Sequence, residues 1–522
     1  MPLESRVGAV STGSHLPAAG RLVRGSALRT VQQFALAGVS FAMMPFIVHT
    51  LGDRHYGIWA LVGTFIGFTN FLDFGLSSAV TRFLAAGLGS GDEEQCNRFF
   101  NTALALYIVI GALVLTGGCA AAGVVYLWPG LKEAALLAKV ILICSMSVTL
   151  SFPLRVFVGT LNAHLRFDRT ASLDLATLLL RTTLAILVLE AGYGVVGLAL
   201  VTFLSALPSF TLSVYFCHKD LPFLRLHHSY RLRAAAKELF SYSSFSFVIQ
   251  IADQMRLQTA SLVVATFLGL AAVTHFRVAT VMTTYFLDLM TALFGVLMSV
   301  FSQQAGAKDH DGIRKTFFFA NKVAIAVSSF IAFGLIAWGK PFITRWMGPR
   351  YVDAYGCLML LALAYVFALW QNPSISLLYG LAKHRWLAGF GIIEGAINVL
   401  MALWLVPQYG ILGAALAILA GTGTIKLLVQ PVYVCHIAGV PLWEYLRREG
   451  AAIATVAAAL VTPALVTGAI AGPDYKRLVL TGLVSLACYA PPVWFLLFTS
   501  GERQALVSSV WRGRDAAAEA AS

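Results

Sequence analysis

Tyr193-Gly194-Val195-Val196-Gly197-Leu198-Ala199-Leu200 returns later in the chain as Tyr409-Gly410-Ile411-Leu412-Gly413-Ala414-Ala415-Leu416, and Val214-Tyr215-Phe216-Cys217-His218 returns as Val432-Tyr433-Val434-Cys435-His436. The same shift, roughly 217 residues, lays Leu51-Gly52 on Leu268-Gly269 and the connector Asp92 to Phe100 on Asp309 to Phe317. Four matches at nearly one offset mark an internal duplication. Its setting is apolar: 58% of the 522 residues are hydrophobic, 12% are charged and mean hydropathy is +0.79, whereas a soluble domain is about a quarter charged. An ordinary soluble enzyme is excluded.

The apolar residues fall in blocks of roughly 20 or more, long enough for a helix to cross a ~30 Å hydrocarbon layer. Outer-membrane strands alternate over only about ten residues, so a β-barrel is disfavoured. Spans are expected at about 29–51, 57–86, 99–127, 134–159, 171–190, 194–217, 237–268, 271–302, 317–338, 352–380, 386–406, 410–436, 450–471 and 478–499. Six spans separate equivalent points of the repeat, so the halves share one orientation about an axis along the membrane normal. The expected fold is all-α: a polytopic membrane protein of about 14 transmembrane helices, two parallel six-helix lobes around a central cavity, and an unrepeated C-terminal helix pair. This divides the chain into a cytoplasmic tail (1–28), an N-lobe (29–217), a basic cytoplasmic connector (218–236), a C-lobe (237–436), helices 13 and 14 (437–499) and a second cytoplasmic tail (500–522).

A net charge of +13 would suit nucleic acid if it formed one patch on a soluble surface. Here Lys and Arg are spread over short connectors, and an inside N-terminus places about 25 of the 37 on the cytoplasmic side. Nucleic acid is therefore not an expected partner. The expected location is the inner membrane, with both termini cytoplasmic. The connector carries Lys219, Arg225, Arg231 and Arg233; Lys340, Arg345 and Arg350 are the exception on the outside. The seven Cys lie mostly within apolar segments and read as small core residues.

Charge at bilayer depth is costly and usually faces a bundle interior or wet cavity. Span 7 carries a polar stripe of Ser243, Ser246, Gln250, Asp253 and Arg256; span 8 carries Thr274, Arg277, Thr280, Thr284, Asp288, Thr291, Gly295 and Ser299. Span 2 has Thr64, Gly67, Asn70, Asp73, Ser77 and Thr81 with Arg82 near its inner end. Spans 1, 2, 7 and 8 are thus the expected cavity lining; the alternative for the small residues is a helix-packing seam. Asp174 and Arg181 share a face of span 5, and Glu394 and Lys426 stand on spans 11 and 12. Structural pairing and a coupling or substrate role both fit these four. His49 and His275 read as interfacial side chains, and Pro45, Pro153, Pro208 and Pro373 as sites where helices kink. The G-x-x-x-x-G-K-[ST], H-E-x-x-H and G-x-S-x-G patterns are absent, no metal or cofactor is called for, and no catalytic residue is expected.

Leu51-Gly52-Asp53-Arg54-His55-Tyr56-Gly57-Ile58-Trp59-Ala60-Leu61, followed by Asp73-Phe74-Gly75-Leu76-Ser77-Ser78-Ala79-Val80-Thr81-Arg82, resembles the start of bacterial polysaccharide-unit flippases. Trp338 to Ile343 and Trp346 to Tyr351 are similar to that family's external connector before helix 10. The second half lacks an equivalent of Tyr-Gly-Ile-Trp around Val273 to Arg277. The resemblance implies membership of the multidrug, oligosaccharidyl-lipid and polysaccharide exporter superfamily. It also implies two lobes in a V around a cavity, and movement of undecaprenyl-diphosphate-linked sugars between leaflets by alternating access. Arg277 is similar in placement to a cavity arginine of lipid II flippases. On this reading Arg82, Arg256, Arg277 and Arg181 are substrate-binding candidates, since Arg offers multidentate contacts to phosphate. Asp73, Asp253, Asp288, Glu394 and Lys426 set cavity charge or couple an ion. The partners implied are the lipid-linked oligosaccharide, membrane lipids, and the polymerase and glycosyltransferases of its pathway. The rivals are a drug or cation antiporter of the same superfamily and, from another class, a polytopic polymerase or ligase acting on the same lipid-linked sugars.

Overall fold

The computed structural model describes residues 16–128, 133–227, 233–294, 297–381, 383, 385–470 and 474–504. Within these, the side chains of 16–27, 29–31, 68, 70–71, 242–257, 291–293, 299, 385 and 467–470 lie outside the description. The described chain is helical, without a strand. In order come α1 (Leu16–Thr69), α2 (Leu76–Ser90), α3 (Glu93–Tyr126), α4 (Ala134–Ala163), α5 (Phe167–Glu190), α6 (Gly194–Asp220), α7 (Arg233–Leu268), α8 (Leu270–Phe294) and α9 (Leu297–Gly306). They are followed by α10 (His310–Trp346), α11 (Ala354–Trp370), α12 (Asn372–Gly380), α13 (Arg385–Tyr409), α14 (Ile411–Gly423), α15 (Gln430–Ala438), α16 (Leu442–Ile470) and α17 (Tyr475–Leu496). Among the described residues, eleven helical stretches are long and apolar enough to span a bilayer. Predicted span 1 and the start of span 2 fall within the single run α1, and spans 7 and 8 include side chains outside the description.

The repeated residues turn out to be those whose backbone leaves little choice. Gly52, inside α1, has φ 74°, and Gly269, between α7 and α8, has φ 85°. Gly194 and Gly410 have φ 59° and 62° at the turns into α6 and α14. All four occupy the left-handed half of φ space, where a Cβ is strained. Asp92 and Asp309 cap α3 and α10, accepting from the Gln95 and Gly312 backbone N–H groups at 2.8 Å each. Each satisfies a donor that the first helical turn leaves without a partner.

Several predicted helices are interrupted. Span 2 is not continuous: a 3₁₀ turn at Asn70–Asp73 and left-handed residues Phe74 (φ 49°) and Gly75 (φ 72°) separate α1 from α2. Span 10 divides at Gln371, where Pro373 opens α12 instead of kinking a longer helix; its missing N–H costs nothing in a first turn. Pro45, Pro153 and Pro208 do lie inside helices. The segment Trp338 to Ile343, read above as connector, belongs to the last turns of α10; the chain turns only at Gly348 (φ 103°). Span 12 contains a π-helical segment, Thr424–Val429, between α14 and α15.

The chain forms two compact units, Met1–Gln250 and Ile251–Ser522, so the boundary lies inside α7. In unit 1, α3 and α4 approach closely because small residues line their seam. A Cβ at Gly118 would stand 2.0 Å from Ser145 Oγ, and one at Gly111 would stand 3.0 Å from the Thr149 carbonyl. The buried core joins Leu76, Leu84, Phe100, Tyr107, Phe152 and Phe157. Unit 2 has one core around Phe301, Phe317, Leu377 and Val434, and another where α16 and α17 pack on α10 through Ile325, Val456, Tyr489 and Val493.

Candidate functional site

The break between α1 and α2 places Asp73 just before a helix start, buried at 2% exposure. Its Oδ1 accepts from the Tyr107 hydroxyl on α3 at 2.7 Å and faces Arg155 Nη1 on α4 at 2.9 Å. Its Oδ2 lies 3.5 Å from the Ser77 N–H in the first turn of α2, where a negative charge also meets the positive end of the helix dipole. Arg155 in turn lies 4.8 Å over the Phe152 ring, one turn back on α4, and keeps 28% of its side chain exposed. A buried carboxylate is tolerable only with such partners.

Beside this cluster an open cleft of about 640 Å³ is lined by Asp73, Gly75, Ser77, Ser78, Thr81, Arg82 and Ala85. Its polar wall is one face of α2, on which Ser78 and Thr81 hydroxyls donate to their own helix at Gly75 and Ser77 carbonyls. Arg82 is exposed, and its guanidinium lies 5.9 Å over Phe83. With those hydroxyl protons already used on the helix and the carboxylate balanced by Arg155, Arg82 is the group of the cleft suited to a phosphate-bearing polar group. Arg155 escaped the sequence reading although it stands in a row with Ser147, Ser151 and Asn162 on α4; that row, and a charge within an apolar span, were the available signal. A shift of 217 residues takes Asp73, Tyr107 and Arg155 to Met290, Ala324 and Asn372, so this cluster is not duplicated.

The structure brings together some of the other residues named from sequence. Glu394 (1% exposed) and Lys426 (8%) approach to 3.8 Å within unit 2. Glu394 also accepts from the Thr422 hydroxyl at 2.9 Å, and Lys426 donates to Gln430 Oε1 at 3.0 Å. The π-helical segment carries Lys426, and Asn398 stands buried nearby, its amide without a hydrogen-bond partner among the described residues. Arg277 and Asp288 are both exposed on α8. His275 bonds Asp353 at 2.8 Å. Asp174 accepts from Gln32 Nε2 at 3.0 Å, and Arg181 is exposed two turns further along α5. The side chains of Asp253 and Arg256 lie outside the described residues.

Eleven long apolar helical stretches among the described residues and an internal duplication mark a multi-pass membrane protein, and its fold is that of solved transporters of the multidrug, oligosaccharidyl-lipid and polysaccharide exporter superfamily. The solved structure of the lipid II flippase MurJ in an inward closed conformation aligns with 89% of this chain and 98% of its own, at TM-score 0.69 and 15% identity, a likeness of fold. The chain belongs to the polysaccharide biosynthesis protein family, whose model matches residues 27–355. It is 26% identical over 488 residues to the uncharacterized membrane protein EpsK of Bacillus subtilis (strain 168), covering 89% of this chain and 93% of EpsK. It is 24% identical over 337 residues to the succinoglycan biosynthesis transport protein ExoT of Rhizobium meliloti (strain 1021), covering 63% of each.

Proposed function

We propose that the protein is a flippase that carries undecaprenyl-diphosphate-linked oligosaccharide units from the cytoplasmic to the outer leaflet of the inner membrane, by alternating access, for surface polysaccharide synthesis. The observation that carries this reading is the α2 cleft, where Arg82 and a row of hydroxyls stand beside the Asp73–Arg155 pair. A diphosphate crossing apolar space needs fixed multidentate donors, and Arg supplies them at low hydration cost. The family match and the similarity to ExoT, a succinoglycan biosynthesis transport protein, support such a cargo. On this reading Arg82, Arg155, Arg277, Arg256 and Arg181 contact anionic cargo, Asp73, Asp253, Asp288, Glu394 and Lys426 tune charge or couple an ion, and both termini are cytoplasmic.

The test is reconstitution of the purified protein in liposomes with a fluorescent polyprenyl-diphosphate sugar. The wild type is expected to move it between leaflets, and Arg82→Ala to slow transfer by about 10- to 100-fold, the worth of a charge-assisted contact, with an unchanged melting temperature. Normal transfer by a well-folded variant lacking both Arg82 and Arg277 refutes the cargo assignment. Drug efflux without sugar-lipid transfer would favour the antiporter, and formation of glycosidic bonds the polymerase.

A further inference from the structure

The unrepeated helices α16 and α17 help to form a second recess, far in sequence from the α2 cleft. It has a volume of about 470 Å³, within the range of ordinary ligand pockets. Its walls are the opening turns of α10 (Lys315, Phe318, Lys322), the opening turns of α16 (Arg448, Glu449) and the segment Thr499–Glu502 after α17. Lys322 Nζ holds both Glu502 carboxylate oxygens at 2.9 Å, which fixes one side. Arg448 is fixed on another, bonded to Glu444 at 2.7 Å and lying 4.3 Å over Phe318.

Two groups in this recess lack an oppositely charged partner among the described residues. Glu449 is 9% exposed and accepts one hydrogen bond, from Asn321 Nδ2 at 2.8 Å; among the described residues it has no basic partner. Lys315 is exposed at the mouth and, among the described residues, has no acidic one. A buried carboxylate behind a cationic rim selects a ligand that brings a donor-bearing cation and an anion at once. The surroundings locate that ligand. Trp443 (75% exposed), Leu446 (47%), Phe495 (64%) and Leu496 (72%) are exposed at the same end of α16 and α17, as side chains at a bilayer interface are.

We infer that this recess binds the headgroup of an ethanolamine phospholipid from the adjoining leaflet, its ammonium against Glu449 and its phosphate against Lys315 and Arg448. An ammonium donates hydrogen bonds to the carboxylate, a trimethylated choline has none to give, and a glycerol headgroup has no positive charge. The unrepeated helix pair then serves as a lipid anchor for unit 2.

Native mass spectrometry of the full-length protein, with chain-matched phosphatidylethanolamine, phosphatidylcholine and phosphatidylglycerol, tests this. The wild type is expected to retain the ethanolamine lipid about tenfold better than the choline lipid. Glu449→Gln is expected to abolish that preference without weakening phosphatidylglycerol, and Lys315→Met, at an exposed position, to lower retention of all three severalfold. Equal retention of ethanolamine and choline lipids by the wild type overturns the inference, as does a preference that survives Glu449→Gln. Should Glu449→Gln not fold, unchanged retention in Lys315→Met overturns it alone.

Discussion

Arg155 is the residue on which the α2 cleft depends for its charge balance. Removing it leaves the Asp73 carboxylate, 2% exposed, with the Tyr107 hydroxyl and a helix N-terminus as its partners among the described residues. Breaking a buried pair from one side costs about 3–5 kcal/mol, whereas replacing both partners by neutral groups is often close to neutral. Arg155→Met is therefore expected to lower the thermal midpoint in detergent well below that of Asp73→Asn/Arg155→Met, and Tyr107→Phe to cost about 1–3 kcal/mol. If the double variant proves no more stable than Arg155→Met, the pair is not the unit described. The aspartate stood out in sequence as part of a periodic polar row; its arginine stands in a row of its own with Ser147 and Ser151 on α4, but nothing along either helix links the two, and the partnership spans 82 positions of chain, from 73 to 155. Glu394 and Lys426 were legible as charges for which structural pairing was one of two readings; their hydrogen bonds to Thr422 and Gln430 were not.

Among the elements, the connector after α6 shows how a loop is held without secondary structure. Asn97 and Asn101, one turn apart on α3, use their amides as backbone substitutes. Asn97 accepts from Arg225 N at 2.7 Å and donates to Phe223 O at 3.2 Å, while Asn101 accepts from His227 N at 3.0 Å and donates to Arg225 O at 2.8 Å. Both amides are buried, so each lost partner leaves a polar backbone group without a bond, at about 1–3 kcal/mol. Limited proteolysis is expected to cut near residues 223–227 several times faster in Asn97→Ala/Asn101→Ala than in the wild type; equal rates would show that the clamp does not hold the connector. Sequence periodicity places α3 but gives no hint that its two asparagines face a loop 126 residues away. The interruptions at 70–75 and 371 each had a local signal, Gly75 and Pro373, but polar periodicity continues across both breaks and masked them.

At the scale of the whole molecule, Glu502 fastens the segment after α17 to α10. Burial raises its carboxyl, but the Thr499 N–H and hydroxyl and the Lys322 ammonium outweigh that and hold it below its ordinary value of 4.5. Its folded value lies under its unfolded one, so its stabilisation is present above the ordinary range and is lost as pH falls through the depressed value. The wild type is expected to lose its margin over Glu502→Gln on acidification below about pH 4.5, in paired melting curves; a margin constant with pH would exclude the linkage. The charge asymmetry of the connectors gives a second expectation, tested by single cysteines in a background without the seven native ones. A membrane-impermeant maleimide applied to intact cells is expected to label position 350 and spare position 231, and the reverse would invert the topology.

Membrane class, an all-helical fold and the internal duplication were written in the chain, because hydrocarbon thickness sets span length and because left-handed turns and N-caps admit few residues: Gly52 with Gly269, Gly194 with Gly410, Asp92 with Asp309. Which charges meet was not. Asp73 with Arg155 and the recess around Glu449 join side chains from different helices, and periodicity along one helix carries no information about its neighbour's rotation. Those pairings were decided by tertiary packing alone, where the cost of a buried charge makes each depend on a partner remote in sequence.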